Sequence, residues 1–101
     1  VSGVVAEQNL PGMAVYGATK AALWSFDQAL AREARRSKVR VLDVRPPHTE
    51  TGLAGRPIAG TAPRMAEGLS PDFVARVIVD ALEDGSTDLP STAFVPAAAT
   101  A

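Results

Sequence analysis

A proline-free run of helix-forming residues fills positions 14–36. Two short β-branched stretches bracket it, "VSGVV" at 1–5 and "VRVLDV" at 39–44. A long helix between two strands leaves few folds open. "VRVLDV" is mostly apolar with weak alternation, the pattern of a strand covered on both faces, and Pro46-Pro47 ends it. A second helix is marked by local signals. Ser70 suits the N-cap, Pro71 the first helical position, Asp72 the first turn and Gly85 the residue past the end. Phe73, Val74, Val77, Ile78, Ala81 and Leu82 supply its apolar positions. "STAFV" at 91–95 predicts a third strand. The expected order is strand, helix, strand, helix, strand. Such alternation predicts an α/β fold with a parallel sheet joined by helical crossovers. Residues 7–12, with Pro11-Gly12 as a turn signal, and residues 48–69, rich in Gly, Thr and Pro, are expected as loops. The tail "PAAATA" is expected to fray.

The long helix carries the most informative pair. The chain has one tyrosine in 101 residues, and Tyr16 stands four residues before Lys20. On a helix such residues are neighbours on one face. At about 100° per residue, Tyr16, Lys20, Leu23, Leu30 and Ala34 fall near one line. Ala18, Ala21, Ala22, Ser25, Ala29 and Arg32 lie opposite, and their mostly small side chains would let another helix approach. A phenol titrates near pH 10, and a nearby cation favours its ionised form. A tyrosine beside a lysine can therefore exchange a proton with an alcohol or carbonyl. The same spacing also fits a packing tyrosine with a snorkelling lysine. Context favours chemistry. Ser2 lies near the end of the first expected strand, Tyr16 at the start of the next helix, and Thr49 and Thr51 just past the second strand. In an open parallel sheet all four gather at the carboxyl edge, where ligands bind.

Composition removes other classes. The formal charge is −1, so a nucleic-acid partner is not expected. There is no cysteine and only one histidine, which excludes thiolate chemistry and an imidazole metal cluster; no metal site is expected. No stretch of about 18 apolar residues exists to span a membrane. The start of the sequence lacks the pattern of a signal peptide, and a cytoplasmic location is expected. An apolar fraction of 47% supports a packed core.

"YGATKAAL" resembles the Tyr-x-x-x-Lys segment of the classical short-chain dehydrogenases/reductases. The resemblance extends along nearly the whole chain. "VSGVVAEQNLPGMAVYGATKAAL" is similar to that family's serine strand, loop and tyrosine helix. "VRVLDVRPPHTETGL" is similar to its next strand and nicotinamide-side loop, and "LSPDFVARVIVDALEDG" with "DLPSTAFV" to its last helix and strand. The resemblance implies a Rossmann-type fold in which residues 1–101 are the C-terminal part, the dinucleotide-binding half with its glycine-rich turn being absent. It implies NAD(P)-dependent interconversion of an alcohol and a carbonyl, with NAD or NADP as cofactor. Tyr16 would be the acid/base, Lys20 would favour the tyrosinate and bind the nicotinamide ribose, and Ser2 would hold the substrate oxygen. Pro46, Thr49 and Thr51 would line the nicotinamide pocket. It also implies a homo-oligomer through the helix at 14–36. Two departures stand out: the family's usual serine place falls on Gly3, one residue past Ser2, and Pro47 stands where glycine is usual. The 101 residues alone are expected to be inactive, since the phosphate-binding turn is missing from them.

Two other readings fit the same residues: a non-catalytic binding or oligomerisation module, and a sugar-nucleotide epimerase or dehydratase, which shares Tyr-x-x-x-Lys. His48 is expected as a loop residue, because "VSG" is not the nucleophile turn of a hydrolase. Trp24 is expected in packing or a subunit contact. The cations at 32–40 are expected at the helix's negative pole. Asp80, Glu83 and Asp84 are expected on a solvated face. Asp27 has no specific expected role beyond a polar contact.

Overall fold

A computed structural model describes residues 1–51 and 68–95. After a short 3-10 turn at Val4–Ala6 come helix α1 (Ala14–Ala34), strand β1 (Asp43–Val44), helix α2 (Pro71–Asp84) and strand β2 (Asp88–Leu89); a last 3-10 turn spans Ser91–Ala93. β1 and β2 pair in parallel, Asp43 with Asp88 and Val44 with Leu89, and α2 lies between them in sequence. This is the β-α-β order expected of a parallel pair.

α2 forms as its sequence signals predict. The Ser70 hydroxyl accepts from the Phe73 N–H at 3.1 Å. Pro71 opens the helix, where no amide donor is needed. Gly85 ends it at φ 86°, a left-handed conformation that a side chain would strain, and its N–H caps the Ala81 carbonyl. Val74 and Ala81 on its inner face join Val44, Leu89 and Phe94 in the core; Leu42, Leu69, Phe73, Val77 and Ile78 pack around them. Each large apolar side chain buried there stabilises the fold by about 1.5–3 kcal/mol.

α1 differs: none of its residues is buried. Its sheet-facing side holds the half-buried Lys20, Leu23, Trp24, Asp27 and Ala31. Its outer side leaves Val15 at 79% and Phe26 at 58% exposure. The helix stops at Ala34, two residues short of expectation. A 3-10 turn at Arg35–Ser37 takes over, closed by Lys38 at φ 57°.

The strands are shorter than the sequence predicts. Residues 1–5 do not form a ladder strand. The Ser2 and Gly3 N–H groups both donate to the Val44 carbonyl, at 2.9 and 3.1 Å, instead of alternating along an edge. Gly3 then turns the chain at φ 87° into the 3-10 turn. Of residues 39–44 only Asp43–Val44 pairs as a strand, flanked by Asp43 N–H to Thr87 O and Arg45 N–H to Leu89 O. Its partner is limited on both sides, by the helix cap at Gly85 and by Pro90, which has no amide to donate. The third strand is accordingly at Asp88–Leu89, not 91–95, where the chain forms its last turn. Among the described residues of the expected loop at 48–69, Thr49 and Leu69 form a parallel bridge. The rest of it, 52–67, and the tail at 96–101 lie outside the described residues. Among the described residues no helix is long and apolar enough to cross a membrane.

Candidate active site

Tyr16 and Lys20 meet on α1 as their spacing requires. The Lys20 ammonium lies 5.7 Å from the centre of the Tyr16 ring. Tyr16 is 45% exposed and borders a depression of about 710 Å³ with Gly12, Met13, Ala14, Val15 and Thr19. The Thr19 hydroxyl donates to the Tyr16 carbonyl at 2.7 Å. The Lys20 ammonium donates to the Val1 carbonyl at 3.4 Å. An ammonium has three donors, so Lys20 keeps donors for a ligand hydroxyl.

Ser2 is placed elsewhere than the resemblance implies. It is fully buried, and its hydroxyl donates to both oxygens of Asp43, at 2.8 and 2.9 Å. It does not present its hydroxyl to the face of Tyr16. Gly3, which sits at the usual serine place, has no side chain to do so. Pro46 adjoins the same segment through its carbonyl, which accepts the Val4 N–H at 3.0 Å. The Thr49 hydroxyl donates to the Pro47 carbonyl at 3.0 Å. Thr51 is exposed, its N–H bound to the Thr49 carbonyl at 2.8 Å. Among the described residues no hydrogen bond joins Pro46, Thr49 or Thr51 to Tyr16 or Lys20. His48, 3.3 Å from Glu50, is a loop residue as expected.

Behind this face lies a charged cluster that the sequence reading missed. Arg45, 3% exposed, donates from Nε to Glu7 at 2.7 Å, from Nη1 to Asp43 and Asp88 at 2.7 Å each, and from Nη2 to Asp88 at 3.1 Å. Its guanidinium stacks 4.3 Å over the Trp24 ring, so Trp24 packs within the chain. Glu7 also accepts from the backbone and hydroxyl of Ser91, at 3.1 and 2.7 Å. One signal was available. Asp43 and Arg45 are two apart on a strand and so share a face, and two charges on one face of an apolar run need partners.

The electrostatics follow from this packing. Hydrogen bonding to Asp88 raises the Arg45 pKa further above its ordinary value; burial opposes this, and Glu7 and Asp43 reinforce it. Burial alone would push the Glu7 carboxyl up, but hydrogen bonds from Ser91 and Arg45 outweigh it and hold Glu7 below its usual range. Asp27, which lines a 300 Å³ cavity beside Asp43, is raised. Burial comes first, then a hydrogen bond to Asp43 and repulsion by its charge.

A family model described as short chain dehydrogenase matches residues 1–59, more than half of the chain and inclusive of Tyr16 and Lys20. No curated protein and no solved structure matches it.

The raised Asp27 yields a signed prediction. A carboxyl whose folded pKa is raised favours the fold fully below its unfolded pKa, about 4, and loses that contribution as pH rises through the folded value. Above that folded value the raised pKa no longer favours the fold. Asp27→Asn is expected to raise Tm by a few degrees at pH 7, with the gain vanishing below about pH 4. Thermal unfolding followed by circular dichroism measures this, and an unchanged or lower Tm at pH 7 would contradict it.

Proposed function

The chain belongs to the short-chain dehydrogenase family, and from that premise we propose that it serves a cytoplasmic NAD(P)-dependent oxidoreductase interconverting an alcohol and a carbonyl. The observation that carries the proposal is the half-exposed Tyr16 with the Lys20 ammonium 5.7 Å from its ring, at the border of a depression. Residues 1–101 are read as the C-terminal part of its Rossmann domain.

In the reducing direction the Tyr16 hydroxyl gives its proton to the carbonyl oxygen; in the oxidising direction the tyrosinate takes the alcohol proton. Lys20 holds its ammonium 5.7 Å from the centre of the Tyr16 ring. The unused donors of Lys20 suit a ribose hydroxyl, and Pro46, Thr49 and Thr51 are assigned to the nicotinamide side. The nicotinamide, when bound, supplies or accepts the hydride, which no side chain can do. Ser2 is not assigned to the substrate oxygen, because its hydroxyl is held by Asp43. The proton step is left to Tyr16.

The exposed side of α1 is proposed to meet a second copy. Val15 and Phe26 stand out there beside the small residues Ala18, Ala22, Ser25 and Ala29, which allow close helix approach.

Two outcomes are expected. In the enzyme as its source makes it, Tyr16→Phe should lower kcat for carbonyl reduction by roughly 10²–10⁴-fold; near-native turnover would contradict the proton role. Phe26→Glu should reduce the oligomer mass seen by light scattering, and an unchanged mass would argue against α1 as the contact.

A further inference from the structure

The Val1–Ser2 peptide joins the charged cluster to the reacting pair. Its N–H donates to the Val44 carbonyl of β1 at 2.9 Å. Its carbonyl accepts from the Lys20 ammonium at 3.4 Å. A trans peptide is planar, and the described residues contain no cis bond. The N–H and C=O of this unit therefore point in opposite directions, and fixing one side fixes the other. The side chain of Ser2 adds a second lock. Both oxygens of the buried Asp43 hold its hydroxyl, and Asp43 is itself held by Arg45 Nη1 at 2.7 Å. Arg45 in turn stacks on Trp24, one helical turn past Lys20 on α1. The loop from the peptide back to the helix is thus closed at both ends.

We propose that Ser2 is a positioning residue: locked to Asp43, it orients the Val1–Ser2 peptide so that the Val1 carbonyl seats the Lys20 ammonium beside the Tyr16 ring. The inference rests on the reading of Tyr16 and Lys20 as the reacting pair. It gives the serine of this segment a different task, because Ser2 reaches the chemistry through Lys20 and never touches substrate. Asp43 and Arg45 belong to the same device. Asp43 sets the hydroxyl's direction, and Arg45 supplies the charge that lets Asp43 stay buried.

The test uses Tyr16 and Trp24 as separate reporters in the protein as its source makes it, each assigned by its own substitution. The ring ¹H–¹³C resonance of Tyr16 senses the charge beside it, and Trp24 emission reports the packing of α1 on Arg45. Lys20→Met defines the ring shift that follows loss of the ammonium. Ser2→Ala, which removes only the hydroxyl, is expected to move the Tyr16 resonance most of the way to the Lys20→Met position, with Trp24 emission unchanged. A Tyr16 resonance left at its wild-type position in Ser2→Ala overturns the proposal. If Ser2→Ala fails to fold, the wild-type protein decides. Nuclear Overhauser contacts between the Lys20 ε-methylene and the Val1–Ser2 peptide region are expected, and their absence overturns it equally. None of these readouts needs turnover. Native activity in Tyr16→Phe would remove the functional reading and leave this geometry standing, while an unmoved ring in Ser2→Ala would do the reverse.

Discussion

The Arg45 guanidinium is the contact on which the described parts of this fold converge. Its donors reach Asp43 on β1, Asp88 on β2 and Glu7 in the loop before α1, and its flat face rests on Trp24 of α1. A planar fork with five donors makes all four of these bonds and still stacks on Trp24; a lysine has three donors and no flat face. Two-residue strands supply few ladder hydrogen bonds, and α1 buries no side chain completely. Ionic contacts therefore add to the apolar core in tying these parts together. Removing one member of such a buried set costs about 3–5 kcal/mol, because the others are left uncompensated. Asp88, half exposed, contributes less than its geometry suggests, since water screens it.

The cluster also explains the disposition of the neighbouring acids. One guanidinium faces Glu7, Asp43 and Asp88, and Asp27 stands against Asp43 from the helix side. Burial first, and then the neighbouring Asp43, act on Asp27. Asp27, the member without a bond to Arg45, is the one whose carboxyl is pushed up. Glu7, held by Arg45 and by both donors of Ser91, is pushed down. The two shifts have opposite consequences for stability, one favouring acid and the other neutral conditions.

Helices were legible in the sequence because their signals are local. Ser70, Pro71, Asp72 and Gly85 fix α2 within its own segment, and each has the expected position in the structure. Strands depend on distant partners: the one expected at 39–44 is present but shorter, and those expected at 1–5 and 91–95 are not found there. The register of β2 is set by Pro90 and by the pull of Glu7 on Ser91, neither of which a run such as "STAFV" discloses. The Tyr16–Lys20 pair was legible for the same reason as α2, since a four-residue spacing on a helix determines contact. Ser2 was not. Its place in sequence says that it lies near the tyrosine helix, but not that its hydroxyl turns inward to Asp43. That direction follows from Gly3, whose positive φ redirects the chain, and from Arg45, whose charge makes a buried aspartate tolerable.

One guanidinium holds both strands, the loop and the tyrosine helix as a unit. Amide hydrogen exchange in Arg45→Lys, which keeps the charge and loses the fork, tests it most directly. The amides to follow are Ser2, Asp43, Arg45 and Ser91, whose acceptors lie on three different segments. If Arg45 unites them, their protection falls together and by a common factor. Loss confined to Ser91, with Ser2, Asp43 and Arg45 exchanging as in the wild type, would contradict it.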